Sequence, residues 1–188
     1  MVPREELERW LNDFFNIHQI SDYLPNGLQI EGREEVRRIV TGVSINYELI
    51  QKAASQKADA IIVHHGMFWK NENPVIRGYR KKRIKQLLEC EINLFAYHLP
   101  LDEHPEISHN RLILEKLDVD SIEKVQTPPG KYATGLKGTF QMLVPFEKLV
   151  DRTNQGLNTR ARYFQYGSSE IGSVFIISGG GKNELENA

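Results

Sequence analysis

The stretch Ala60-Ile61-Ile62-Val63-His64-His65-Gly66 constrains the fold more than any other. Its apolar, largely β-branched residues run together without the alternation of a strand that has one wet face. Such a run reads as a central strand buried on both sides, which requires helices on both faces of its sheet. The run then ends abruptly in two histidines and a glycine. That is how a buried strand looks when its carboxyl end carries chemistry.

The flanking segments supply the rest of such a sheet. Arg37 to Ser44 reads as a strand, and Asn46 can cap a following helix whose Leu49, Ile50, Ala53 and Ala54 share one face. Strand, helix and the Asp59–His65 strand make a βαβ unit, which implies a right-handed crossover and parallel pairing. Arg77 to Glu89 predicts another helix, with Ile84, Leu87 and Leu88 inward, ahead of a strand from Ile92 to Tyr97. Upstream, residues 4–16 place Leu7, Trp10, Leu11, Phe14 and Phe15 on one helical side, read as core packing. Pro25-Asn26-Gly27 makes a turn before a short Leu28-Gln29-Ile30 strand. The expected fold class is α/β: a three-layer, open, mostly parallel sheet with helices on both faces, joined to a smaller α+β segment.

Pro105 to Leu117 predicts one more helix, with Leu112, Ile113 and Leu117 as its apolar positions. Thr127-Pro128-Pro129-Gly130 then marks a boundary between an α/β domain, 1–126, which carries the histidines, and a smaller α+β domain, 127–188. The latter should hold a strand from Ala133 to Met142, a helix opened by Pro145 and reaching Leu157, and strands Ala161–Tyr166 and Gly172–Ser178. Ser178-Gly179-Gly180-Gly181 reads as a turn, with Lys182–Ala188 starting a helix too short to stand alone. The chain is therefore expected to stop inside a fold unit.

Several function classes are disfavoured. Lys plus Arg number 24 against 25 Asp plus Glu, so the net charge of -1 points to neither nucleic acid nor a membrane surface. Cys90 is the sole cysteine, which leaves no internal disulfide and no thiolate cluster. The charged N-terminal helix has no apolar leader, and a cytoplasmic location fits best.

Ligands of open parallel sheets collect at the carboxyl ends of the strands, and His64, His65, His98 and Asp102 all sit at or just past such ends. Successive strand side chains point to opposite faces, so the adjacent histidines are expected to serve different ions, or one ion and one supporting contact. Imidazole and carboxylate without thiolate suit Zn, Fe, Mn or Co, and Asp102 could bridge two such ions. A lone His-His pair is more often structural. The second histidine-ended strand ahead of an acid shifts the balance toward metal.

Other features carry less. Arg77, Arg80, Lys81, Lys82, Arg83 and Lys85 make a basic helix whose default is a solvated face. Gly179-Gly180-Gly181-Lys182 lacks the spacing of a phosphate loop. Trp69 could line the pocket and stack on a base, although burial is the commoner fate. His18, His104 and His109 fall near turns or on a polar helix face.

Three segments together resemble a known family: Tyr23 to Gly32 (YLPNGLQIEG), Ala58 to Gly66 (ADAIIVHHG) and Asn93 to Asp102 (NLFAYHLPLD). They are similar to the YbgI-type family, also called the GTP cyclohydrolase I type 2 or NGG-interacting-factor-like family. The resemblance is dense to about residue 118 and looser beyond. It implies a dinuclear centre with two divalent ions, in which His64 and His65 each contribute to a metal and Asp102 is a further ligand. His98 would either support a ligand or shuttle protons. It also implies a ring-shaped homohexamer and a nucleotide-like substrate. Members carry near their C-terminus a His followed four residues later by a Glu; nothing after Asp102 here supplies that pair. The expectation is a C-terminally truncated chain or an under-occupied centre. The reading that follows is a cytoplasmic metal-dependent hydrolase acting on a nucleotide or related heterocycle, with a non-catalytic ring scaffold or metal-handling protein as the alternative.

Overall fold

In a computed structural model that describes residues 1–125 and 135–179, the chain begins with a short strand, β1 (Val2–Pro3), and a helix, α1 (Arg4–Phe14). Glu5 and Glu6 in its first turn complement the helix dipole. Leu7, Leu11 and Phe15 are buried, whereas Trp10 and Phe14, expected in the core, are 59% and 38% exposed and stack on each other at 5.2 Å. The buried face centres on Leu11, and Trp10 lies about 100° around the helix from it.

β2 (Gly27–Ile30) and β3 (Glu35–Val36) follow, β3 pairing antiparallel with β1. Next come β4 (Ile39–Ser44), α2 (Tyr47–Ser55), β5 (Ala60–His65), α3 (Gly78–Glu89) and β6 (Asn93–Ala96). Asn46 caps α2 as expected, its Oδ1 accepting from the Leu49 amide at 2.8 Å. The sheet order is β2-β6-β5-β4; β6, β5 and β4 are parallel and β2 is an antiparallel edge. The α/β class with a mostly parallel sheet is thus what forms.

The pleat divides the core. Ile61, Val63, Leu94 and Ala96 pack with Ile50 and Ala53 of α2 and Ile84 and Leu87 of α3. Ala60, Phe95 and Tyr97 point the other way, onto Leu7, Leu11 and Phe15 around α1. Each fully buried aliphatic side chain contributes about 1.5–3 kcal/mol relative to exposure. Leu88, expected inward, is 54% exposed, because it sits one helical step past the buried Leu87.

Two buried polar residues tie the amino ends of the strands. Asn93 is fully buried; its Nδ2 donates to the carbonyls of Arg33 (2.9 Å) and Asp59 (3.0 Å), and its Oδ1 accepts from the Gly32 amide at 2.8 Å. Asp59 Oδ2 accepts from the amides of Arg37 and Arg38, and Oδ1 pairs with Arg33 at 3.0 Å. Burial pushes the Asp59 carboxyl up, but these backbone donors and the nearby arginines hold it below the usual carboxylate range.

A single helical turn, α4 (Leu99–Asp102), follows β6. The chain forms two compact units, Met1–Leu101 and a second beginning at Asp102. The boundary expected at Thr127–Gly130 lies outside the described residues, as do the second half of the turn expected at 178–181 and the helix expected over residues 182–188. The second unit contains α5 (His109–Lys116), β7 (Ser121–Lys124), β8 (Leu136–Pro145), α6 (Phe146–Gly156) and β9 (Glu170–Ile176). Its strands form an antiparallel sheet in the order β7-β8-β9.

Several local expectations fail in this unit. The helix read from Pro105 starts only at His109, where the Ser108 hydroxyl caps the Arg111 amide. Leu114 is buried in it, while Leu112 is 45% exposed. Residues 161–166, read as a strand, are irregular; their β-prone aromatics Tyr163, Phe164 and Tyr166 stay exposed. β7 has no strand signature in the sequence, because Ile122 is the only apolar residue in it.

Candidate metal centre

Strand register brings the histidines together. Ser44 pairs with His65 across β4 and β5, and Val63 pairs with Ala96 across β5 and β6. The carboxyl ends of the three parallel strands therefore lie at one edge, with Ser44, His64, His65 and His98 at their tips. The strict alternation expected from the pleat does not hold the adjacent imidazoles apart: the rings of His64 and His65 have centroids 4.3 Å from each other. His98 lies 5.1 Å from the first and 5.7 Å from the second. One ring nitrogen from each of the three falls within 4.8 Å of the others, an arrangement that can hold a metal ion.

Each imidazole is fixed through its Nδ1. His64 Nδ1 lies 3.1 Å from the Tyr97 carbonyl oxygen, which can only accept, so the proton sits on Nδ1 and the lone pair on Nε2. His65 Nδ1 is 2.8 Å from the Ser44 hydroxyl. His98 Nδ1 is 3.2 Å from both carboxylate oxygens of Asp22, which again assigns its proton to Nδ1. A carboxylate behind an imidazole fixes tautomer and ring orientation.

Asp22 is a residue that sequence reasoning misses, yet it organises one side of the site. Its side chain is 2% exposed. It accepts from the Leu24 amide (3.0 Å), the Asn26 side chain (3.0 Å) and the Leu99 amide (2.9 Å). Burial pushes its carboxyl up, but the hydrogen bonds from His98, Asn26, Leu99 and Leu24 outweigh that and bring it to about 2. Asn26 completes the clamp by accepting from the His98 amide at 2.7 Å. The available signal for both residues is their place in the Ser21–Gly27 turn, where Asp and Asn side chains commonly bind backbone amides.

Gln29 fixes the loop that follows the histidines, its Oε1 accepting from the Met67 amide at 2.8 Å. A Cβ at Gly66 would come within 2.3 Å of that same oxygen, so a side chain there would displace the Gln29 amide from the loop. Trp69 on this loop is 41% exposed, with its ring 5.6 Å from His65 and 6.1 Å from His98. Tyr23, on the Asp22 loop, meets His98 edge-on at 5.4 Å.

Asp102 belongs to the second unit, where it ends α4 and its Oδ1 lies 3.0 Å from His109 Nδ1. His109 thus has a carboxylate partner that sequence reasoning does not assign. His104 is buried, and its Nδ1 accepts from the amides of Glu106 and Ile107, which ties down the loop ahead of α5. His18 lies on the turn after α1, away from the strand tips in sequence and outside the imidazole cluster. On α3, Arg80 turns inward and is buried. The glycine stretch weighed as a phosphate cradle runs past residue 179, outside the described residues.

The donor set fits a borderline divalent cation: oriented imidazole nitrogens without thiolate, at the open edge of a packed sheet. Among the described residues no helix is long and apolar enough to cross a membrane.

Known proteins agree with this architecture. The family model described as Duf34/NIF3 (NGG1p interacting factor 3) matches residues 2–188. A curated Escherichia coli (strain K12) relative named GTP cyclohydrolase 1 type 2 homolog is 49% identical over the whole chain, which spans 74% of that relative. A relative of the same name from Pasteurella multocida (strain Pm70) is 41% identical over 97% of the chain and 72% of its own length. Among solved structures, one described as "protein ybgI, unknown function" superposes with a TM-score of 0.87 at 38% identity, covering 98% of this chain and 73% of the other. The match over nearly every residue, shared fold included, makes this chain a member of the Duf34/NIF3 family.

Proposed function

We propose that the chain is a metal-dependent hydrolase acting on a nucleotide or related heterocycle. The observation that carries the reading is the convergence of His64, His65 and His98, each anchored through Nδ1, at the carboxyl edge of the sheet. His64 and His65 are the metal ligands in this reading. Asp102 is a further ligand, on the strength of the His98-Leu99-Pro100-Leu101-Asp102 pattern. Bound divalent ions would supply Lewis acidity and acidify a water. His98, backed by the Asp22 carboxylate, receives or delivers protons at Nε2. The name shared by the curated relatives, GTP cyclohydrolase 1 type 2 homolog, makes GTP the first substrate to assay. A dinuclear centre and a homohexameric ring belong to the same reading through the family resemblance.

The test measures bound metal per chain by elemental analysis and follows GTP consumption with and without chelator. Chelator-sensitive turnover supports the hydrolase. Metal present without turnover across nucleotides favours a metal-handling scaffold, and no bound metal removes both readings.

A further inference from the structure

We propose that Trp69 is the binding platform on which a fused planar heterocycle of the substrate stacks, held in place by a latch centred on Arg80. The inference rests on the heterocycle reading above and adds to it the residue that recognises the ring. A half-exposed tryptophan by itself signifies little. This one is presented by a built turn directly beside the histidines.

The Trp69 carbonyl accepts from the Glu72 amide at 3.2 Å, and Asn71 adopts a left-handed conformation (φ 67°) to close that turn. Arg80, only 9% exposed, donates to the Asn73 carbonyl at 2.7 Å and lies 3.9 Å from Glu72. Its guanidinium also sits 5.2 Å from the centroid of the Phe68 ring. Tyr79 donates to Glu72 at 3.3 Å, and Gln29 holds the other end of the loop at the Met67 amide. Among the described residues Arg80 Nε and Glu72 Oε2 are buried without a hydrogen-bond partner, so the latch rests on the Asn73 carbonyl and the Phe68 face, which tie α3 to both sides of the turn. The outcome is an indole 5.6 Å from His65 and 6.1 Å from His98, with two-fifths of its surface open to solvent. In this proposal a flat ring seated at the imidazoles stacks on the open part of the indole, and stacking on one aromatic side chain is tolerant of ring substituents.

The chain has two tryptophans, Trp10 and Trp69, so Trp10→Phe leaves Trp69 as the single indole fluorophore and keeps an aromatic ring against Phe14. With zinc-loaded Trp10→Phe protein, guanosine and GTP should quench the emission saturably, while inorganic tripolyphosphate should not. By calorimetry, Trp69→Ala should weaken GTP binding roughly ten- to a hundredfold, and Trp69→Phe should restore most of it. Arg80→Met should weaken GTP binding severalfold with Trp69 still present, because the turn loses its latch. GTP bound equally well by Trp69→Ala would overturn the platform while leaving the heterocycle reading intact. Zinc bound normally with no affinity for guanosine or GTP would overturn both.

Discussion

Asp22→Asn tests the clamp behind His98 with least change of shape. The carboxyl is lowered from 3.8 to about 2 in the folded chain, against burial, by hydrogen bonds from His98, Asn26, Leu99 and Leu24. At about 1.4 kcal/mol per pH unit this depression is worth about 2 kcal/mol of folding stability. Because the folded value lies below the unfolded one, that stability is fully present above the unfolded value of 3.8 and is lost as the pH falls through about 2. An amide accepts less strongly and points a donor at groups that are themselves donors, so the variant should be about 2 kcal/mol less stable at pH 7. Urea unfolding followed by circular dichroism from neutral pH down to about pH 2 measures both proteins. Their curves should lie apart at neutral pH and draw together in the most acid samples, since the native carboxyl is by then losing its charge. A gap of constant size across the whole range would show that the ionised form contributes nothing and would refute the electrostatic account of the clamp.

The remaining expectations concern other parts of the molecule. Asp102→Ala should lower the bound divalent metal per chain, read by elemental analysis; unchanged stoichiometry removes Asp102 from the ligand set. Asn93→Leu removes the side-chain partners of the Gly32 amide and the Arg33 carbonyl, while the Asp59 carbonyl keeps the Asn93 backbone amide, and should cost about 1–3 kcal/mol in chemical denaturation. Gly32→Ala would place a Cβ 2.4 Å from the Glu91 carbonyl oxygen and 2.6 Å from the Asn93 nitrogen, both backbone atoms, and should cost about 1–3 kcal/mol with a lowered melting temperature. Ser44→Ala removes the hydroxyl beside His65 and should weaken metal binding roughly tenfold or more in a competition assay with a chromophoric chelator.

What can be read from the chain alone is what periodicity encodes. The run 60–63, the Asn46 cap and the apolar stretch 94–97 each act over a few residues, and each leads to the right strand or helix. The histidine-bearing strand tips are legible too, because a polar group closing a buried run costs free energy unless something uses it. What the local pattern cannot supply is nonlocal. Asp22 and His98 stand 76 positions apart, and no short-range motif pairs them. Trp10 and Phe14 share the periodicity of core residues but miss the sheet by their angle around α1, which a stripe count does not resolve. The segment 161–166 has strand composition, but composition alone cannot make a ladder without a partner edge.

The three imidazoles of the site are not interchangeable, because each has a different group behind it. His64 is held by a backbone carbonyl, His65 by a hydroxyl and His98 by a buried carboxylate. The carbonyl fixes the His64 tautomer, the hydroxyl orients the His65 ring while able to donate or accept, and a full negative charge can also act as counter-ion to an imidazolium. In the proposed hydrolase His98 is therefore the ring suited to shuttle protons, because the Asp22 carboxylate lies directly behind it. The same chain that aligns strands β4, β5 and β6 thus also sorts their terminal side chains by chemistry. In the proposed hydrolase His64 and His65 serve as the oriented ligands, and His98, with the Asp22 carboxylate behind it, serves as the proton carrier.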